Sequence, residues 1–238
     1  MLHVLLLFLQ ACVEQEPASS DSSPVEESPS LCPWGEARSE NRIPVHGYLY
    51  EVSTGTGLEG VTITPCAEPS PVTQTDSAGK WVLSLPDASW VAVDQRMEGL
   101  VPNRCVFDPT IEGTVERPFR IGMASFSRDN FPMKDLDLFP VEGKTWIDID
   151  ALDLETGDDL PGTTIEISAP YEAAVGYTEE TGFFFSNQTT VGYDVIFANV
   201  EPVPFDIVAS HPDKTTCLVP PTMRGEGNDM LNISVYCY

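Results

Sequence analysis

The residues best equipped for chemistry are acidic. Asp148-x-Asp150-x-x-Asp153-x-Glu155-x-x-Asp158-Asp159 concentrates carboxylates in one short stretch. Calcium takes clustered carboxylate and carbonyl oxygens, so Asp148, Asp150, Asp153 and Glu155 form the candidate Ca²⁺ set. The spacing departs from an EF-hand loop, which needs a Gly and a terminal Glu at fixed places. Paired carboxylates also serve glycosidases, but no long loop is present to build a cleft around these. A solvated strand face followed by an acidic turn accounts for the same residues. In Trp146-Ile147-Asp148-Ile149-Asp150 the alternation sends Asp148 and Asp150 to one face and the isoleucines to the other.

Other constellations are thinner. Gly55-Thr56-Gly57-Leu58-Glu59-Gly60 matches G-x-G-x-x-G by letter. A dinucleotide site needs that motif to open a helix whose N-terminus meets the pyrophosphate. Here a strand-like GVTITP follows, so the glycines read as a turn. Beyond His3, only His46 and His211 are present, and both hydrolytic triads and zinc sites lean on histidine. His211, Asp213 and Cys217 could in principle meet at a metal, but a His-Pro-Asp turn explains the first two. No catalytic residues and no cofactor are assigned. The formal net charge of −25 repels nucleic acid and anionic headgroups.

The elements that must position these residues are strands. VHGYLYEV, GVTITP, KWVLSLP, SWVAVD and PFRIGM are short, rich in β-branched and aromatic residues, and bounded by Gly, Pro, Asp and Ser. TWIDIDALDL, TTIEIS, GFFFS, GYDVIF, FDIVAS and MLNISVY follow in the same manner, and no segment keeps a helical period. The chain also repeats itself. Thr54-Gly55-x-x-Leu58-x-Gly60 returns as Thr156-Gly157-x-x-Leu160-x-Gly162. Thr75-x-x-x-Gly79-x-Trp81 returns as Thr178-x-x-x-Gly182-x-Phe184, and the run from Cys105 to Gly113 returns from Cys217 to Gly225. Three blocks in one order indicate a tandem duplication, with an insertion in the second copy between Gly182 and Cys217. The fold class expected is all-β, two tandem β-sandwiches of the Ig-like or transthyretin-like kind, at residues 43–140 and 141–238. Trp81 and Phe184 should both be core, and each copy should bury its own apolar face.

A strand, TG-x-x-L-x-G, a second strand and T-D-x-x-G-x-aromatic together resemble the carboxypeptidase regulatory-like domain, a transthyretin-like sandwich. The first copy carries the pattern in VHGYLYEVSTGTGLEGVTITP and TQTDSAGKWVLSLP, the second in DIDALDLETGDDLPGTTIEIS and YTEETGFFFS. The resemblance covers about the first half of each copy and implies a non-catalytic accessory or surface module. Gly55 and Gly157 fall in the strand-to-strand turn, where φ > 0 is expected. The transthyretin-like purine-pathway hydrolases carry histidines and a terminal Tyr-Arg-Gly-Ser that this chain lacks.

The N-terminus supplies the localisation. The apolar run Leu2 to Leu9 is too short to span a bilayer and reads as a signal-peptide core. Leu9-Gln10-Ala11-Cys12 resembles the lipobox of bacterial lipoproteins, which implies removal of residues 1–11 and acylation of Cys12. Residues 12–42 are then a disordered linker of Ser, Pro and Glu, with a reach of roughly 25 Å. Val13 rather than Asp follows Cys12, which points to the outer membrane, on its periplasmic or cell-surface face. Partners expected are the membrane, through the lipid, and a protein or glycan ligand. The function expected is a surface-anchored, non-catalytic binding or structural lipoprotein, with a secreted enzyme or inhibitor using the acidic face as the alternative.

Export favours disulfides. The repeat places Cys105 and Cys217 at equivalent positions, so each should pair within its own copy, as Cys66–Cys105 and Cys217–Cys237. Cys32 is then odd: free, paired between molecules, or displacing Cys66 as the partner of Cys105.

Overall fold

The computed structural model describes residue 32 and residues 35–66, 72–114, 118–124, 133–192 and 194–238. The signal segment, Cys12 and the linker through residue 31 lie outside the described residues. The fold is all-β. Its strands are β1 Ala37–Glu51, β2 Thr62–Pro65, β3 Thr73–Gln74, β4 Lys80–Ala88, β5 Val91–Arg96, β6 Asn103–Phe107, β7 Phe119–Met123, β8 Thr145–Asp153, β9 Thr164–Ile167, β10 Ala173–Thr178, β11 Gly182–Phe185, β12 Val195–Val200, β13 Ile207–Ser210, β14 Cys217–Leu218 and β15 Met230–Cys237. β1 begins inside the stretch assigned to the linker. Ala37 pairs with Ala88, and the Arg38 guanidinium is gripped by Asp87 at 2.8 Å and Asp108 at 2.7 Å. Those two carboxylates order a segment whose composition alone reads as linker.

One long sheet runs through both copies in the order β11-β10-β12-β8-β15-β6-β5-β2-β3. Its join is β15, which pairs in parallel with β6 of the first copy and with β8 of the second. Two smaller sheets, β4-β1-β7 and β13-β9, complete the layers. Strands β5 and β6 are buried on both sides. Val91, Val93, Cys105 and Phe107 pack with Val45, Leu49 and Trp81 under the β4-β1-β7 sheet. The intervening Ala92 and Val106, with Trp90, pack instead with Ile147, Ile165, Phe205 and Ile233. Period-two alternation therefore sends successive side chains into two different cores. The expectation that each copy fills its own core is corrected on this point, because the second core draws on the first copy. The limits 43–140 and 141–238 remain a proposal about sequence units.

The first repeated block is repeated in structure bond for bond. Gly55 N–H donates to Glu51 O and Gly157 N–H to Asp153 O; Leu58 N–H donates to Leu49 O and Leu160 N–H to Ala151 O. Gly55 and Gly157 have φ of 68° and 69°, the left-handed region that glycine enters without penalty.

The second block is in a different register from the one expected. Val61 N–H donates to the Thr75 hydroxyl, 14 residues on, while the matching Thr163 N–H donates to the Thr189 hydroxyl, 26 residues on. Thr189, not Thr178, is thus the partner of Thr75, and the insertion precedes it. Thr178 and Gly182 close the hairpin β10–β11 at the sheet edge. Trp81 faces Gly47 on β1, and at the equivalent place Val195 faces Ile149 on β8. Trp81 is 4% exposed, as expected, whereas Phe184 is only half-buried and Val195 holds the core position. An edge strand lacks the second layer that would cover such a ring.

Candidate functional site

A cleft opens between β7 of the first copy and the face of the long sheet formed by β12, β8 and β15. Register builds its floor. Asp148 on β8 lies beside Asn232 on β15 and Ile196 on β12, and Asp150 lies beside Ser234. Trp146 and Met230 form the next row. Arg120, Ile121 and Gly122 of β7 make the opposite wall. Ile147 and Ile149 on the reverse of β8 are fully buried. The expected alternation therefore holds, but the face given to Asp148 and Asp150 is half-buried rather than fully solvated, because it forms the floor of a cleft walled by β7.

Two further carboxylates join them, Glu112 from the loop after β6 and Asp194 just ahead of β12. Tyr236 donates from its hydroxyl to Glu112 Oε2 at 2.6 Å and receives the Asp108 N–H at 2.9 Å. The Ser234 hydroxyl lies beside Glu112 and Asp150 and favours the charged form of each. Removal from water pushes the Glu112 carboxyl up to about 7, partly countered by its bonds to Ser234 and Tyr236. Desolvation raises Asp194 to about 6, while its bond to Asp148 pulls the other way. Asp148 is raised well above the carboxylate range by desolvation and then by the charge of Asp194. Asp150 is raised likewise by desolvation, then by Glu112 and Asp194. Two buried polar atoms at the floor, Asp148 Oδ1 and Asn232 Nδ2, have no hydrogen-bond partner.

The candidate Ca²⁺ set does not assemble. Asp148 and Asp150 point into the cleft, while Asp153 pairs with Lys214 at 2.5 Å and accepts the Glu155 N–H at 2.9 Å. Glu155 is exposed. Among the described residues no group of three His, Cys, Asp or Glu side chains is arranged to hold a metal. His211 is turned to the Pro161 carbonyl at 3.2 Å and receives the Asp213 N–H, and Cys217 is in a disulfide, so that trio does not meet. His46 lies mid-strand on β1 opposite Val82. Glu112, Asp194, Ser234 and Asn232 were not legible as site residues. They stand far apart in sequence, and only strand register brings them to Asp148.

Cys217–Cys237 forms as expected, closing 20 residues. Cys66–Cys105 does not. Cys66 pairs with Cys32, closing 34 residues, and Cys105 is a buried free thiol. The reason is facing. Cys105 points into the first core, where the Gln95 amide donates to its sulfur at 3.2 Å. Cys66, one residue past β2, packs at the rim of the other core. Burial pushes the Cys105 thiol up, which leaves it unreactive. Non-reducing peptide mapping should recover both bonds, with Cys105 alkylated only after denaturation. Alkylation of Cys105 in the native protein, or a Cys66–Cys105 peptide, contradicts this arrangement.

No family model matches the chain, and no curated protein matches it either. Among solved structures it is similar to the TIE protein of Bacillus anthracis, at 14% identity and a TM-score of 0.29 over 83% of this chain, and spans 34% of that protein's length. The shaft pilin SpaA of Lactobacillus rhamnosus GG is matched at 11% identity and a TM-score of 0.28, over 83% of this chain and 98% of the pilin. A minor pilin of Streptococcus agalactiae is matched at 10% identity and a TM-score of 0.28, over 82% and 95%. TM-scores this low do not establish a shared fold and carry no inference about the site.

Proposed function

We propose that this chain is a lipid-anchored, non-catalytic binding protein of the bacterial envelope, built from two carboxypeptidase regulatory-like units that together form one cleft. The observation that supports binding is the pair of unpartnered atoms, Asp148 Oδ1 and Asn232 Nδ2, shut inside a concave site. A buried polar atom without a partner costs about 1–3 kcal/mol, and a ligand that bonds it recovers that cost. The carboxylates of the cleft are bonded to one another, to Ser234 and to Tyr236. Among the described residues no histidine lines the cleft beside them, and acyl transfer leans on a histidine base. Cys12 is the proposed anchor, and the Ser, Pro and Glu run that follows it suits a tether to the outer membrane.

The anchor is tested by fractionation. Cys12→Ser is expected to move the protein from the membrane pellet to the soluble fraction. One acyl chain binds only marginally, at about 0.8 kcal/mol per buried CH₂, and stable anchoring needs several. A variant that still pellets after a carbonate wash contradicts a lipid at Cys12.

A further inference from the structure

We infer that the cleft takes a small organic ammonium carried on an apolar body. This deepens the binding reading and rests on it. Two cavities meet in the cleft. One, of about 220 Å³, is walled by apolar side chains such as Ile121, Met133, Trp146 and Met230. The other, of about 560 Å³, is lined by Glu112, Asp150 and Asp194. Both are bounded by Asp148, Asp194 and Asn232, so they join where the unpartnered Asp148 Oδ1 sits. An apolar cavity of about 150 Å³ accepts benzene, so the apolar end has room for a ring and a short chain. A ring there would place its charged end against Asp148 and Asp194.

The sign of that charge follows from the surroundings. Among the described residues no Lys or Arg forms an ion pair with Glu112, Asp148, Asp150 or Asp194. The two cations at the rim form no ion pair with these acids: Lys144 pairs with Glu201, and the Arg120 guanidinium, at the cleft wall, lies over the Tyr48 ring at 5.9 Å. An incoming ammonium would relieve the mutual repulsion of the acids and donate a hydrogen bond to Asp148 Oδ1. Asn232 Nδ2 remains as a donor for an oxygen on the same ligand. A bare divalent cation is disfavoured because the carboxylates do not converge on one point.

The experiment is calorimetric titration of the full chain, with Trp146 fluorescence as a second signal. The probe is 2-phenylethylamine, compared with 2-phenylethanol, phenylacetate and calcium chloride. The amine is expected to saturate and to bind at least about tenfold tighter than the alcohol. Asp148→Asn and, separately, Asp194→Asn should each weaken the amine by about tenfold or more while leaving the alcohol unchanged. Both variants keep the size and shape of the side chain in a crowded acidic site, so they should fold, and their melting curves verify it. Ile121→Trp should fill the apolar end and abolish binding of both. Equal binding of alcohol and amine, tighter binding of phenylacetate, or displacement of the amine by calcium overturns the ammonium class. In those cases a loss in Ile121→Trp leaves the binding cleft standing. If none of the four probes saturates, both readings fall.

Discussion

Trp90→Ala is expected to destabilise both copies together, by about 3–5 kcal/mol, in one melting transition. Trp90 belongs to the first copy by sequence, between β4 and β5. Its ring nevertheless packs on Tyr236 of β15, with centroids 5.4 Å apart, within the core built mostly by the second copy. The strand that carries Tyr236 is bonded to β6 on one side and β8 on the other. A cavity at Trp90 therefore loosens the strand on which both copies depend. If the copies were independent sandwiches, the loss would stay in residues 43–140 and a second, unshifted transition would survive. Calorimetry with amide hydrogen exchange distinguishes the two. By the same reasoning residues 141–238 expressed alone lose Trp90, Ala92 and Val106 from their core and should melt below the intact chain. Phe184→Ala, at a half-buried edge ring, should cost far less than Trp90→Ala.

The second large effect is that stability should rise, by a few kcal/mol, as pH falls from about 8 to about 5. Glu112 and Asp194 hold their protons in the native state to about 7 and about 6, and Asp148 and Asp150 are raised as well. In the unfolded chain the same groups release theirs near pH 4. Between those limits the native state binds more protons than the unfolded state, so stability declines as pH rises. The trend must reverse in stronger acid. The Arg38 guanidinium lowers Asp87, the Lys214 ammonium lowers Asp153, and Arg104 and Arg96 lower Glu226 against its desolvation. Those carboxylates lose their contribution as pH falls through their native values. The maximum should therefore fall near pH 5, below the neutral range. Arg120 faces the cleft, as do Asp158 and Asp159, and these set the field around the titrating groups. Urea unfolding across this range measures the slope. Glu112→Gln and Asp194→Asn should each flatten it, while Glu155→Gln, at an exposed site, should not. A slope that Glu112→Gln leaves unchanged would show that the overall net charge of −25, rather than the cleft, governs the pH response.

The all-β class, the turn chemistry of both TG-x-x-L-x-G blocks and the core place of Trp81 were legible in the residues, because each follows from local rules. Alternation fixes which side chains share a face, and glycine marks positive φ. The same holds for the inward Ile147 and Ile149, and for Cys217–Cys237, where the pairing strands carry one Cys each in register. What local rules could not supply was the partner on the far side of each face. The second repeated block looked aligned through Thr178, yet the hydrogen bonds align it through Thr189, because a letter match does not know which hydroxyl will meet the Thr163 N–H. Cys105 looked like the mate of Cys66, yet the two face different cores, a consequence of β5 and β6 being buried on both sides. Asp148 and Asp150 read as a wet face, and alternation was right about the side they take. Only the tertiary structure decided that β7 walls that side into a cleft, and that Glu112, Asp194 and Asn232 are carried to it. Sequence determines where a side chain points along its own strand. The packing of strands distant in the chain decides whether it points into water, into a core or into a neighbouring carboxylate, and the chemistry of this cleft depends on that second step.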